Sequence, residues 1–266
     1  MSWINSTVDN SIEVILVMDF DNPKLMDQIS MVAKNSPLDV QISVSAARNP
    51  GGSRNIGISN ASGTWICFWD SDDYPDLGNM LKLVSEANHK EFQMAVGAYQ
   101  LSKHKELNNP KEFQLKQARN ELDIYCDPGI WRMAFKRDFI GEGRFLEIKM
   151  GEDQHFVFEL LNKHPNIFYS TIPVYRYVMY EAAQLTRNSV AISQLPISMA
   201  ECIKMYQRSK SISLLVGIYK QSITIFKRTN AKTKFKNLGT IVKFWMQNPE
   251  AILKLPYCLL QILRHR

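Results

Sequence analysis

The sequence lacks several things whose presence would have narrowed its class at once. No run of about 20 apolar residues occurs, so no bilayer-spanning helix is expected. The four cysteines, Cys67, Cys126, Cys202 and Cys258, are scattered and form no CxxC pair. Neither a structural zinc site nor a disulfide framework is therefore indicated, and Cys67, inside an apolar run, reads as a small core residue. The five histidines show no ligand spacing. The opening "MSWINSTVDNSIEV" has no basic start followed by an apolar core, so no secretory signal is expected there. A reducing, cytoplasmic setting is the expectation, with a peripheral position on the inner face of the membrane as its extension.

Acid is also scarce at one end. The chain carries a formal net charge of +6, and after Lys204 its only acidic residue is Glu250. A basic end suggests an anionic partner. No nucleic-acid-binding module accompanies it, so nucleic acid is not expected. Phe244, Trp245, Ile252, Leu253, Leu259, Leu260 and Leu263 lie among Lys243, Lys254, Arg264 and Arg266. That mixture suits basic C-terminal helices lying on a membrane surface. The competing reading is that these helices simply pack on the rest of the protein.

What is present points to a globular α/β protein. The 266 residues are 45% hydrophobic and 22% charged, enough to bury a sizeable core. "EVILVMD" reads as a buried strand and "NPKLMDQISMVAKNSP" as a helix with Leu25, Ile29 and Val32 in register. "DVQISVSA" is a second strand, "ARNPGGSRN" a loop, "IGISNAS" a short helix and "GTWICFWD" a third strand buried on both faces. Such alternation predicts a mixed, mostly parallel sheet flanked by helices. Asp19 and Asp70 then close two strands on the same sheet edge, where ligands collect. Residues 102–123 read as an exposed excursion, a helix begins near Glu152, and from about Ile192 the chain reads as helical, broken near Pro249 and Pro256. The expected division is 1–190 as the main domain and 191–266 as a basic helical extension.

The segment "FWDSDD" drives an apolar strand into Asp70, Asp72 and Asp73. Like charges this close are unfavourable unless a cation lies between them, and all-oxygen ligands suit Mg2+ or Mn2+. A solvated turn is the plainer alternative, since Asp and Ser favour turns. Upstream, Arg48 and Arg54 flank "NPGGS", where glycines permit close approach to an anion and arginine pairs with phosphate. The alternative is that Arg54 merely pairs with a nearby aspartate. Glu152 and Asp153 open a helix. Acids are favoured in a first turn, but a carboxylate there can also serve as a general base.

In order and spacing, "SRNIG" (Ser53–Gly57), "WICFWDSDD" (Trp65–Asp73) and "GEDQHF" (Gly151–Phe156) resemble the motifs of family 2 glycosyltransferases, which have the GT-A fold. "WRMAFKRDFI" is similar to that family's tryptophan-led segment, and "YRYVMYEAAQLTR" to its closing motif. The resemblance covers about Glu13 to Arg187. It implies an inverting enzyme moving a sugar from a nucleotide-diphosphate donor to a hydroxyl of a glycan or lipid-linked glycan, in cell-surface polysaccharide synthesis. It further implies that Asp19 contacts the nucleotide base, Arg54 binds the donor and Asp70 meets the nucleotide sugar. Asp72, with Asp70 and Asp73, would hold Mn2+ or Mg2+. Asp153 would be the base, with Glu152 and Trp131 supporting the acceptor side.

The family's opening strand and most of its first helix have no counterpart before "SWINSTVDNS", so the chain is expected to start one strand late. That favours one alternative, a non-catalytic GT-A relative that binds a nucleotide sugar or a partner. A second alternative is a haloacid-dehalogenase-like phosphatase, because "VILVMDFDN" resembles that family's acidic start. Its acidic segments, however, lie too close together for the threonine and lysine motifs that fold places between them.

Overall fold

Local chemistry explains the first elements of the chain. Glu13–Met18 is rich in β-branched residues and forms strand β1; Asn22 then accepts the backbone N–H of Leu25, with Pro23 at the first helical position, and helix α1 follows. A computed structural model describes residues 12–19, 22–70, 74–102, 113–178 and 189–265. After β1 and α1 (Pro23–Lys34) come β2 (Asp39–Val44), α2 (Pro50–Asn60), β3 (Trp65–Cys67), β4 (Tyr74–Pro75), α3 (Leu77–His89), β5 (Met94–Ser102) and β6 (Gln114–Lys116). Next are α4 (Glu121–Cys126), a 3-10 turn at Ile130–Arg132, β7 (Met133–Lys136), α5 (Arg137–Ile140), α6 (Glu152–Leu161) and β8 (Ile167–Val178). The remaining described elements are helices: α7 (Ser189–Ile192), α8 (Leu195–Ser209), α9 (Ile212–Arg228), α10 (Ala231–Gln247), α11 (Pro249–Leu253) and α12 (Leu255–Arg264).

The chain forms two compact units. The first comprises residues 1–118, 130–147 and 166–180; the second comprises 119–129, 148–165 and 181–266. A division at residue 190 follows the sequence, whereas compactness assigns α4 and α6 to the same unit as the C-terminal helices.

The first unit is α/β with mixed pairing, as expected, although most of its pairings are antiparallel where a mostly parallel sheet was expected. β1 and β2 form a two-stranded parallel sheet. A six-stranded sheet runs β3-β7-β5-β8-β4, with β6 on β5. Within it only β5 and β8 are parallel; the other pairings are antiparallel. β5 sits in the middle, buried from Met94 to Tyr99. β3 is three residues long and lies on the sheet's edge, shorter than the fully buried strand expected from its apolar sequence.

No strand among the described residues joins the two sheets. Side chains do. The Glu13 carboxylate accepts the Ser62 N–H at 2.7 Å, the Ser62 hydroxyl at 2.9 Å and the Gly63 N–H at 2.5 Å, just before β3. Val14, Leu38 and Leu77 form a small core against which Leu16 and Trp69 pack.

The second unit is built around α9, which packs against α4, α8, α10 and α12. Gly217 makes this possible on one side. A Cβ there would meet the Phe158 ring at 2.7 Å and Tyr125 at 3.2 Å. The breaks at Pro249 and Pro256 fall as expected, each proline lying in the first turn of a new helix, where its missing N–H has no partner to lose.

Two consequences are measurable. Gly217→Ala gains about 1 kcal/mol of helix propensity. Overpacking against buried Phe158 and Tyr125 costs about 1–3 kcal/mol and wins, so urea denaturation should show a net loss. For Glu13, burial raises the carboxyl pKa, but hydrogen bonds from Gly63 and Ser62 and the charge of Arg137 outweigh it and leave it below the ordinary 4.5. A depressed carboxylate stabilises the fold above its unfolded pKa and ceases to as pH falls through the folded value. The stability gap between wild type and Glu13→Gln should therefore be full at neutral pH and narrow below about 4.5, read from denaturation midpoints.

Candidate functional site

The stretch "NPGGSRN", expected as a loop, is the first turn of α2. Asn49 caps it by accepting the Gly52 N–H at 2.8 Å, and Pro50 takes the first helical position. The expected role of the glycines changes accordingly. A Cβ on Gly51 would lie 1.9 Å from the Leu146 carbonyl oxygen, and one on Gly52 would lie 2.3 Å from the Ala47 Cβ. Both glycines permit close packing, and the Gly52 N–H is already used by the cap.

Three consecutive residues of α2 then reach three separate segments. Ser53 donates to the Asp19 carboxylate at the end of β1. Arg54 donates to Asp70 at 2.8 Å, just beyond β3. Asn55 donates to the Phe145 carbonyl at 3.0 Å and accepts the Phe145 N–H at 2.8 Å. Asp19 and Asp70 follow strands of different sheets, so α2 rather than a shared sheet edge associates them.

The Arg54 guanidinium lies 5.5 Å from the centroid of the Phe145 ring, which in turn packs edge-on against Phe68 at 5.0 Å. Arg54 is 15% exposed and Asp70 49% exposed. The pairing of Arg54 with a nearby aspartate, one of the two readings of that residue, is thus present. It leaves Asp70 half in solvent. A cation on an aromatic face beside an accessible carboxylate can exchange that carboxylate for a carboxylate or phosphate of a ligand.

Trp131 belongs to an aromatic cluster. Its ring stacks on Tyr175 at 4.4 Å and Tyr177 at 5.4 Å, with Tyr99 edge-on at 4.7 Å. Its carbonyl accepts the Trp69 indole N–H at 3.1 Å, which steadies the chain one residue before Asp70. Burial pushes the Cys67 thiol up to about 12, which disfavours its thiolate form. Asp72 and Asp73 lie outside the described residues. Among the described residues no group of three or more His, Cys, Asp or Glu could hold a metal ion. Downstream of the carboxylate run, an open depression of about 470 Å³ is lined by Tyr74, Asp76, Asn79, Tyr175 and Arg176 among others.

Glu152 and Asp153 lie in the second unit, in the first turn of α6. Gly151 precedes them at a φ of 87°, a left-handed conformation that suits glycine. Its carbonyl accepts the Ser198 hydroxyl at 2.7 Å, which ties the start of α6 to α8. Glu152 is buried. Asp153 is half-buried and accepts the Gln154 N–H at 2.8 Å. Favourable first-turn placement accounts for both acids and is equally compatible with a proton-accepting role.

Asn55 was not among the expected site residues, although it stands inside the "SRN" motif. Only the contact with Phe145, 90 residues away, shows what it does. Asn55→Ala removes both hydrogen bonds, a loss of about 1–3 kcal/mol. Asn55→Asp keeps the acceptor and should lose less. Thermal and urea unfolding of the pair check the order.

The family model for glycosyl transferase family 2 matches residues 3–140, more than half of the chain. The uncharacterized glycosyltransferase EpsJ of Bacillus subtilis is 29% identical over 166 residues, covering 55% of this chain and 46% of that protein. The chain therefore spans less than half the length of this curated relative. S. aureus TarS 1–349, solved in complex with UDP-GlcNAc, has a TM-score of 0.64 at 15% identity over 95% of this chain and 80% of that one. Mannosyltransferase PcManGT from Pyrobaculum calidifontis, solved with GDP-Man and Mn2+, has a TM-score of 0.50 at 14% identity over 95% and 77%. At such identities the structures show the shared GT-A fold, while the matched model over residues 3–140 places the chain by sequence: it belongs to glycosyl transferase family 2.

Proposed function

We propose that the protein transfers a sugar from a nucleotide-diphosphate donor to an acceptor hydroxyl, with inversion at the anomeric carbon. The acceptor class we assign is a glycan or lipid-linked glycan of the cell surface, reached from the cytoplasmic side. The observation that carries this reading is the Ser53-Arg54-Asn55 run, which sets a phosphate-competent arginine against Asp70 and a serine against Asp19. UDP-GlcNAc and GDP-Man in the related folds support a nucleotide-sugar donor here.

In this reading Arg54 releases Asp70 and pairs with the diphosphate, helping to stabilise the charge that grows as the sugar–phosphate bond breaks. Asp19 contacts the base and Asp70 the nucleotide sugar. The carboxylates of Asp70, Asp72 and Asp73 would offer the all-oxygen donors that Mg2+ or Mn2+ takes. Such an ion, when bound, neutralises charge on the leaving diphosphate. Asp153 takes the proton from the acceptor hydroxyl as its oxygen forms the new bond to the anomeric carbon, and the diphosphate departs with the electron pair of the broken bond. Glu152 supports Asp153, and Trp131 supports the acceptor side.

Asp153 lies beyond the matched residues 3–140, so its role rests on the "GEDQHF" resemblance and on its place in α6. A second reading, binding without turnover, draws on the absence of a strand joining β1 to β3 among the described residues.

A panel of nucleotide sugars with Mn2+, run on wild type, Arg54→Ala and Asp153→Asn, tests the assignment. Wild type should turn over at least one donor. Asp153→Asn should keep donor binding and lose about 10²–10⁴-fold in rate. Arg54→Ala should weaken nucleotide binding by calorimetry. Donor binding without turnover would establish the second reading; neither binding nor turnover would reject both. A wild-type rate in Asp153→Asn would remove that residue from the base role.

A further inference from the structure

Helix α10 has two apolar sides. Ile241 and Phe244 are buried in the second unit. On the opposite side Phe235, Leu238, Val242 and Met246 recur at i, i+3, i+7 and i+11, with exposures of 77%, 45%, 43% and 80%. Globular helices turn one stripe inward and leave the other polar. Here the outward stripe is apolar, and exposed Lys232, Lys236 and Lys243 run along one border of it.

The neighbouring helices continue the pattern. Leu253 of α11 is 83% exposed, and Leu260 and Leu263 of α12 are 46% and 58% exposed, with Arg264 beside them. α12 is apolar on its buried side as well, through Cys258 and Ile262. Of the 17 large hydrophobic residues exposed among the described residues, 10 fall between Phe235 and Leu263. This concentration differs from the scattered exposed leucines normal on any surface. Phe244 and Trp245, which the sequence suggested as interfacial, are occupied otherwise: Phe244 packs on Tyr206, and Trp245 donates to the Tyr219 hydroxyl at 3.0 Å.

We infer that the outer faces of α10, α11 and α12 dock on a bilayer surface carrying anionic headgroups. Charge selects this occupant. From Lys227 to the end of the chain there are nine Lys or Arg residues and one acid, Glu250. Glu250 is held by Lys210 at 2.8 Å, so among the described side chains of this stretch its one carboxylate is already paired. A second copy would bring two such faces together and repel. Protein interfaces are depleted in lysine at their cores, whereas amphipathic helices on membranes border their apolar stripe with it. No described helix is long and apolar enough to cross a bilayer, so the faces would rest on one. Docking here stands independently of the proposed glycosyl transfer.

The test is co-sedimentation of the full chain with phosphatidylcholine vesicles, with and without phosphatidylglycerol, at low and high salt. Binding should require phosphatidylglycerol and weaken with salt. Phe235→Ser with Met246→Ser, and separately Lys232, Lys236 and Lys243→Gln, should each weaken it about tenfold or more. All five positions are exposed, so circular dichroism and melting should match wild type. Failure of wild type to bind anionic vesicles, or equal binding by both variants, overturns the proposal. So does a wild-type dimer in sedimentation velocity that the Phe235→Ser, Met246→Ser variant loses, since the apolar stripe would then serve self-association.

Discussion

The arrangement depends on how α2 is seated. Asn55 offers Phe145 both halves of an amide, in the manner of one more rung of backbone pairing. Gly51 allows the helix to approach until only a hydrogen fits between it and the Leu146 carbonyl. These contacts fix the rotation of α2 about its axis as well as its distance. Rotation matters because adjacent helical residues point about 100° apart. With Asn55 locked, Ser53 and Arg54 have little choice of direction, and the Asp19 and Asp70 contacts follow. Two strand ends in separate sheets are thus associated by one helix turn, which neither sheet could do alone.

Under the proposed donor role, electrostatics suits the Arg54–Asp70 pair to be opened by a ligand. An ion pair with one partner half exposed contributes at most about 1 kcal/mol to stability. The fold therefore loses little when the pair opens. A diphosphate presents more charge and more acceptor oxygens than a single carboxylate, so exchanging partners costs little and gains stronger hydrogen bonds. The Phe145 ring faces the guanidinium while it is paired with Asp70. Cheap exchange on a rigid seat would suit the proposed donor role, and a deeply buried pair in the same place would resist it.

Much of this was legible in the residues, and the failures have definite causes. β1, the start of α6 at Glu152 and the breaks at Pro249 and Pro256 follow from β-branching, first-turn acids and proline, all local effects. "NPGGSRN" misled because proline and glycine usually end structure; here Pro50 begins a helix, and the glycines serve contacts with Ala47 and with Leu146, far along the chain. "WICFW" suggested a fully buried strand, but Ile66 alone is buried within β3 and Trp65 and Cys67 are half covered at a sheet edge. The motif aspartates were easy to find because charge clustering is visible in one dimension. Asn55 was not, since its partner becomes a neighbour only after folding.

The same limit explains the C-terminal helices. A helix that is apolar around most of its circumference reads as buried. In α10 the sequence pattern does not say which apolar side meets the protein, and both candidate readings of the basic end drew on the same residues. Packing separates them: Ile241 and Phe244 are enclosed, while Phe235 and Met246 stand in water. Water alone gives no reason to keep four large apolar residues in helical register on an outer face, bordered by lysines. The register costs solubility, and a helix needs nothing of the kind to pack on α9. A second apolar medium with an anionic boundary would satisfy the stripe and its border together, which a purely aqueous setting does not.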